Sequence, residues 1–242
     1  MLNAMKVVLF GATGMVGQAV LRECLLSPDV EEVLAIGRSA TNVQNPRNPK
    51  LRDLTHTNFT DFSPIAGDLR GYDACFFCMG VSSAGMKEKD YHHVTYDFTL
   101  AAANVLAEQS PGMTFIYVSG TGTDSTESGR SMWARVKGET ENALLKLPFK
   151  AAYMFRPGVI QPLHGIKSKT RLYRGLYTVA APLFPVLKAL FPKYVITSEQ
   201  VGRAMIAAAR DGAPKVLLEN SDIADLAKGA KAGPEGRISE RP

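Results

Sequence analysis

Three glycines spaced three apart, Gly11, Gly14 and Gly17, follow directly on the apolar run at 6–10 (Lys-Val-Val-Leu-Phe). A short apolar run ending in glycine reads as a buried parallel strand. Val16, Val20, Leu21, Cys24 and Leu25 then recur at helical spacing up to Pro28, where a helix has to stop. A second apolar run occupies 33–36. Strand, glycine turn, helix and strand in about thirty residues make a βαβ unit. Such a start leaves few options, because a parallel pair needs a crossover and a parallel sheet needs helices on both faces.

The rest of the chain keeps the alternation. Strands are predicted at 73–78, 114–119, 151–155 and 216–218, and helices at 94–108, 131–146 and 197–210. The last helix opens with Thr197 and Gln200 at capping-box spacing and carries Val201, Ala204, Met205 and Ala208 on one face. This pattern predicts the α/β class, a doubly wound parallel sheet of the Rossmann type, as a single domain over 1–228. The stretch 165–193 breaks the rhythm. It carries Lys167, Lys169, Arg171 and Arg174, then an apolar segment cut by Pro182 and Pro185. It is expected to cover the substrate side of the sheet; a lid over an apolar substrate and a contact with a membrane surface are the other readings. The polar tail 229–242 is expected to be disordered.

The glycine loop is where chemistry enters. A dinucleotide pyrophosphate needs a tight turn, close backbone approach and a helix N-terminus aimed at it. Gly11 would make the turn, Gly14 would let the backbone meet the phosphates, and Gly17 would let the helix pack on the sheet. Ala12, Thr13, Met15 and Val16 complete the expected cradle. An NAD site usually places a carboxylate at the end of the second strand to bind the ribose. Here that place reads Ala35-Ile-Gly37-Arg38-Ser39, without one, and Arg38 lies 21 residues beyond Gly17. A guanidinium binds a phosphate with two parallel hydrogen bonds, so Arg38 and Ser39 favour NADP over NAD.

Bulk properties exclude more than they select. With 45% hydrophobic and 21% charged residues, the 242-residue chain is an ordinary globular composition. A net charge of +5, mostly scattered along the chain, suits an anionic ligand and also a loose association with nucleic acid or a membrane surface; it is too weak a signal to choose, and no nucleic-acid partner is expected. Three cysteines, Cys24, Cys75 and Cys78, do not make a disulfide framework. With no signal peptide recognisable, a reducing, cytoplasmic setting is expected. Cys75 and Cys78 stand three apart on a predicted strand and so face opposite ways. The adjacent His92 and His93 make a poor chelate, and no metal is expected. The sequence leaves the substrate and the oligomeric state open.

The ordered motifs Gly11-Ala-Thr-Gly14-Met-Val-Gly17, Gly37-Arg38, Cys78-Met-Gly80-Val-Ser-Ser-Ala-Gly85, Val136-Lys137-Gly138-Glu139 and Phe155-Arg156-Pro157-Gly158-Val159 resemble the atypical short-chain dehydrogenase/reductases. The likeness, over 6–220, is strongest to the Tat-interacting-protein-like and NmrA-like oxidoreductase branch. It implies that Met79 and Gly80 pass beside the cofactor ribose and nicotinamide, and that Asp61 and Phe62 lie near the adenine. It also implies that Lys137 hydrogen-bonds the nicotinamide ribose, that Ser119 orients the substrate, and that Pro157 and Gly158 flank the nicotinamide.

One position departs from the pattern. The family's proton-donating tyrosine stands four residues before the lysine, and that position here is Trp133. An indole N–H can hold a carbonyl oxygen but does not release its proton near neutral pH. A different acid (Tyr91, His92, His93, His164 or Tyr173), a water held by Ser119 or Lys137, or Lys137 itself would have to take over. Otherwise Trp133 is packing and turnover is lost. Two functions follow: an NADP(H)-dependent oxidoreductase acting on an apolar carbonyl compound, and a non-catalytic NADP(H)-binding sensor or scaffold.

Overall fold

The structure is a computed structural model that describes residues 4–41, 49–166 and 193–229. Its chain order begins β1 (Met5–Phe10), α1 (Met15–Leu26), β2 (Val30–Gly37), β3 (Leu51–Thr55), a 3-10 turn (Ser63–Leu69) and β4 (Ala74–Phe77). Then come α2 (Glu88–His92), a π-helical turn (His93–Asp97), α3 (Phe98–Gln109), β5 (Thr114–Val118), α4 (Met132–Leu144) and β6 (Ala151–Arg156). The chain closes with β7 (Val159–Gln161), β8 (Val195–Thr197), α5 (Ser198–Asp211), β9 (Leu217–Glu219) and α6 (Asn220–Gly229).

Seven strands form one parallel sheet in the order β3-β2-β1-β4-β5-β6-β9, so the doubly wound fold expected from the sequence is the fold observed. Alternate residues of each strand enter different cores. Val7 and Leu9 join Val20, Leu21, Val201, Met205 and Ile223, beneath α1, α5 and α6. Val8 and Phe10 join Phe62, Ala102, Leu106, Phe115 and Leu144, beneath α3 and α4. Cys75 lies in the second core and Cys78 packs against the first, which is the opposite-face arrangement read from their spacing.

Several elements were not anticipated. β3 (Leu-Arg-Asp-Leu-Thr) has two charged residues in a five-residue run, which hides the strand pattern; it is tolerated because β3 is the sheet edge. Its charges have local partners, Arg52 on Asp68 and Asp53 on Thr41. The helix expected at 94–108 begins at Glu88, with Glu88 and Asp90 in its first turn, and reaches α3 through the π-turn. β7 and β8 pair as a small parallel sheet of their own, too short for a periodic signal. Gly229, expected to start a disordered tail, is the last residue of α6. Of the covering segment 165–193, residues 167–192 lie outside the described residues, as do 230–242 of the tail.

The capping box of α5 is present in both directions. Gln200 N–H donates to Thr197 Oγ1 at 3.1 Å, and Thr197 N–H donates to Gln200 Oε1 at 3.0 Å. Thr197→Ala should therefore destabilise the fold by about 1 kcal/mol, the usual value of a lost N-cap. A shift in the urea midpoint at unchanged slope would register it.

Candidate functional site

β1 and β4 are neighbours at the point where the strand order reverses, and a crevice there is where open α/β sheets take ligands. Gly11 turns the chain out of β1 at φ +78°, and a Cβ on it would come within 2.7 Å of the Cys78–Met79 peptide. Gly17 sits one turn into α1, and a Cβ there would fall 2.0 Å from the Gly11 carbonyl oxygen. The loop between them is tied by Gly14 N–H to Gly11 O at 2.9 Å and by Gln18 Nε2 to Thr13 O at 3.0 Å. No side chain caps α1 and its first turn carries no acid. Ala12 is buried, while Thr13, Gly14, Met15 and Val16 are part-exposed. Bare helix terminus and methyl-free cradle together suit a pyrophosphate, so the residues present fit a nicotinamide dinucleotide.

Arg38 and Ser39 are exposed just beyond β2, and the Arg38 guanidinium has no partner among the described residues. The nearby carboxylate of Asp53 is taken: Thr41 N–H and Oγ1 both donate to it at 2.9 Å. His56 at the end of β3 donates its backbone N–H to Gly37 O at 2.9 Å, which ties the ends of β2 and β3 together. Asp61 is exposed, and hydrogen bonds from the Ser63 hydroxyl and N–H hold it below the usual carboxylate range. Phe62 is different. Its ring is in the core, edge-on to Phe10 and Phe59, leaving only its backbone for a ligand.

The other end of the crevice gathers Met79 and Gly80 after β4, Ser119 after β5, Pro157 and Gly158 after β6, and the first turns of α4. Lys137 Nζ donates to the carbonyls of Ser119 at 2.5 Å and Val118 at 3.4 Å, and stands 5.7 Å over the Tyr117 ring. Burial pushes its ammonium down to about 8, against an opposing pull from Glu141 one turn further on. Trp133, one turn before Lys137 on α4, lies with its ring edge against Gly122. The Ser119 hydroxyl faces inward, donating to Glu141 Oε1 at 2.5 Å with the Phe155 carbonyl at 3.1 Å. Thr121, an exposed residue of this loop, donates its hydroxyl to Arg156 O at 3.0 Å while its N–H donates to Pro157 O at 3.0 Å. Gly158 N–H is held by Asn220 Oδ1 at 2.8 Å, and Asn220 Nδ2 donates to Lys193 O at 3.0 Å. Thr121 and Asn220 were missed. Thr121 had a signal, two residues past Ser119, but nothing in the sequence ties Asn220 at 220 to Gly158.

The substitute acids among the described residues differ in their surroundings. Tyr91 is buried in α2. His92 faces Asp97 and Glu139, His93 faces Asp97, and His164 faces Glu199. Tyr173 lies outside the described residues. Among the described residues no three His, Cys, Asp or Glu side chains gather as a metal site, and no helix is long and apolar enough to cross a membrane.

A profile of the NAD dependent epimerase/dehydratase family matches residues 7–129, half of the chain. The chain belongs to that family. The resemblance of its motifs to the atypical short-chain dehydrogenase/reductases is in keeping with that family. It is similar to the protein fmp52-2, mitochondrial, of Aspergillus oryzae, with 26% identity over 226 residues, 90% of this chain and 95% of that one. It is also similar to the protein HTATIP2 of Rattus norvegicus, with 27% identity over 155 residues, 64% of this chain and 62% of that one. Among solved structures, the fold resembles the Bordetella bronchiseptica enzyme WbmF in complex with NAD+. That likeness has a TM-score of 0.63 at 19% identity, covering 100% of this chain and 83% of that one. A Burkholderia cenocepacia short-chain dehydrogenase in complex with NADP gives a TM-score of 0.63 at 15% identity, covering 95% and 93%. This family membership supports a nicotinamide cofactor for the crevice.

The Gly17 contact is with backbone, which cannot swing aside. Gly17→Ala should lose ~1–3 kcal/mol of stability, the range for overpacking a tight site. It should also weaken cofactor binding at least tenfold. Urea denaturation and calorimetry read the two effects separately.

Proposed function

We propose that this protein is an NADP(H)-dependent oxidoreductase that interconverts a carbonyl and an alcohol on an apolar small molecule, with Lys137 as the proton donor in place of the absent tyrosine. The observation that carries the reading is the setting of Lys137: an ammonium held over Tyr117 by two carbonyls, with its pKa lowered to about 8. A general acid works best when its pKa lies near the working pH, and an ordinary lysine at 10.5 does not meet that condition. Two of the three N–H donors have backbone partners, which leaves one for a substrate oxygen. The nicotinamide, when bound, supplies or accepts the hydride. Trp133 can donate its indole N–H to the same oxygen, and the Thr121 hydroxyl lies on the adjoining loop.

Apolar character is suggested by what flanks the reacting end. Val81 follows Gly80 and Val159 follows Gly158, and both are exposed, as is Tyr194, whose carbonyl accepts the Val159 N–H. The preference for NADP rests on Arg38, without a partner among the described residues, and on the engagement of Asp53 by Thr41. Three free cysteines suit a reducing compartment, cytoplasmic as expected from the sequence, although the fungal relative's own name says mitochondrial.

Calorimetric titration tests the cofactor. NADPH should bind more tightly than NADH, and Arg38→Ala should reduce that preference by about tenfold or more, the loss of a charge-assisted hydrogen bond worth ~1.5–3 kcal/mol. Failure of the purified protein to bind either nucleotide would sink the reading.

The proton donor is tested by pH. Reduction requires protonated Lys137, so its rate should be level below about 8 and fall as pH rises through that value; alcohol oxidation should show the opposite slope. Lys137→Arg keeps the charge but does not release a proton near neutral pH. It should reduce turnover by about 10²–10⁴-fold and abolish the limb near 8. Persistence of that limb in Lys137→Arg would assign it to another group.

A further inference from the structure

Glu141 is fully buried on α4, and Arg156, at the end of β6, is 8% exposed. Buried ion pairs seldom add net stability, so one placed directly under a site invites a different explanation. The pair is side-on. Arg156 Nε donates to Glu141 Oε1 at 3.1 Å and Nη2 to Glu141 Oε2. The remaining valences of the two groups reach further: Ser119 Oγ donates to Glu141 Oε1 at 2.5 Å, and Arg156 donates to Ser125 Oγ at 2.6 Å and to Glu219 Oε1 at 3.4 Å. One carboxylate thus joins α4, the end of β5 and the end of β6 and, through Arg156, the loop after β5 and β9.

The backbones fixed in this way are those that hold the reacting groups. The Ser119 carbonyl anchors Lys137, while the Arg156 and Pro157 carbonyls accept the Thr121 hydroxyl and N–H. Resting on the reading of Lys137 given above, we propose that Glu141 is a positioning residue, which acts through Ser119 and Arg156 to hold Lys137 and Thr121 in one fixed arrangement at the mouth of the crevice. It touches neither the substrate nor the cofactor. Among the described residues, the charged and titratable groups around Lys137 are few. Tyr117 lies beneath it with Tyr91 behind, Glu141 stands one turn on, and Arg156 and Glu219 lie beyond Glu141. The neighbouring Glu139 pairs with His92 instead.

Two variants of the full chain test this. Glu141→Gln removes the charge and leaves Arg156 partly unpaired; Glu141→Leu with Arg156→Met removes both charges while keeping apolar volume, and decides the matter if the first fails to fold. Amide hydrogen exchange is followed at Thr121 against amides of β1 and β2, and Lys137 is titrated by NMR of its side-chain nitrogen. Neither readout needs turnover. Thr121 should lose protection at least tenfold relative to β1 and β2, and Lys137 should titrate lower than in the wild type by about one unit, as on loss of a nearby opposite charge. A merely structural pair would lower protection everywhere alike, with no excess at Thr121. Wild-type protection at Thr121 in a folded variant, or an unmoved Lys137 in Glu141→Gln, overturns the proposal. A wild-type Lys137 that titrates near 10 instead removes it as the proton donor, while Thr121 protection still judges Glu141.

Discussion

The approach of α1 to the end of β1 is the contact on which the rest of the site depends. Gly17 rests so close to the Gly11 carbonyl that no side-chain carbon fits, and Gly11 lies against the Cys78–Met79 peptide in the same way. Three backbones, those of β1, α1 and β4, therefore meet without side chains between them. That geometry leaves the first turn of α1 bare and places it beside the ends of β4 and β5. Bulk at either glycine would part the helix from the sheet, and the anion cradle and the reacting end would no longer face one crevice.

Legibility followed the strength of the local physics. The βαβ start, the Thr197–Gln200 box and the opposed cysteines were readable because each is a backbone rule expressed within a few residues. β3 was not readable, since Arg52 and Asp53 look like loop residues until their partners Asp68 and Thr41 are seen. The glycine loop and Arg38 could be placed from spacing alone. Ser119 shows where such placement stops: the sequence puts it at the end of β5, but the direction of its hydroxyl is set by Glu141, 22 residues away. Asn220 and Glu141 act through long-range hydrogen bonds, for which the sequence offers no periodic signal.

Electrostatics at the reacting end are arranged around two cations treated in opposite ways. Arg156 is given a carboxylate in side-on contact and stays charged, which a guanidinium does under almost any burial. Lys137 is given neutral carbonyls and a ring, and burial outweighs the more distant Glu141. The same low-polarity pocket thus fixes one charge and loosens the proton on the other. A compact ammonium can respond in this way; a guanidinium cannot.

This difference bears on the tryptophan at 133. Where a tyrosine precedes the lysine by one turn, the lysine serves best when fully charged, because its field is what lowers the phenol. Without the phenol that service has no object, and a lysine at its ordinary pKa would be a poor acid near neutrality. Burial of the ammonium against the Tyr117 ring and the Val118 and Ser119 carbonyls works in the direction the chemistry then needs, since it favours release of its proton. On the proposed reading, Trp133 and the lowered pKa of Lys137 are two parts of one change. On that reading the acid absent at 133 is supplied at 137.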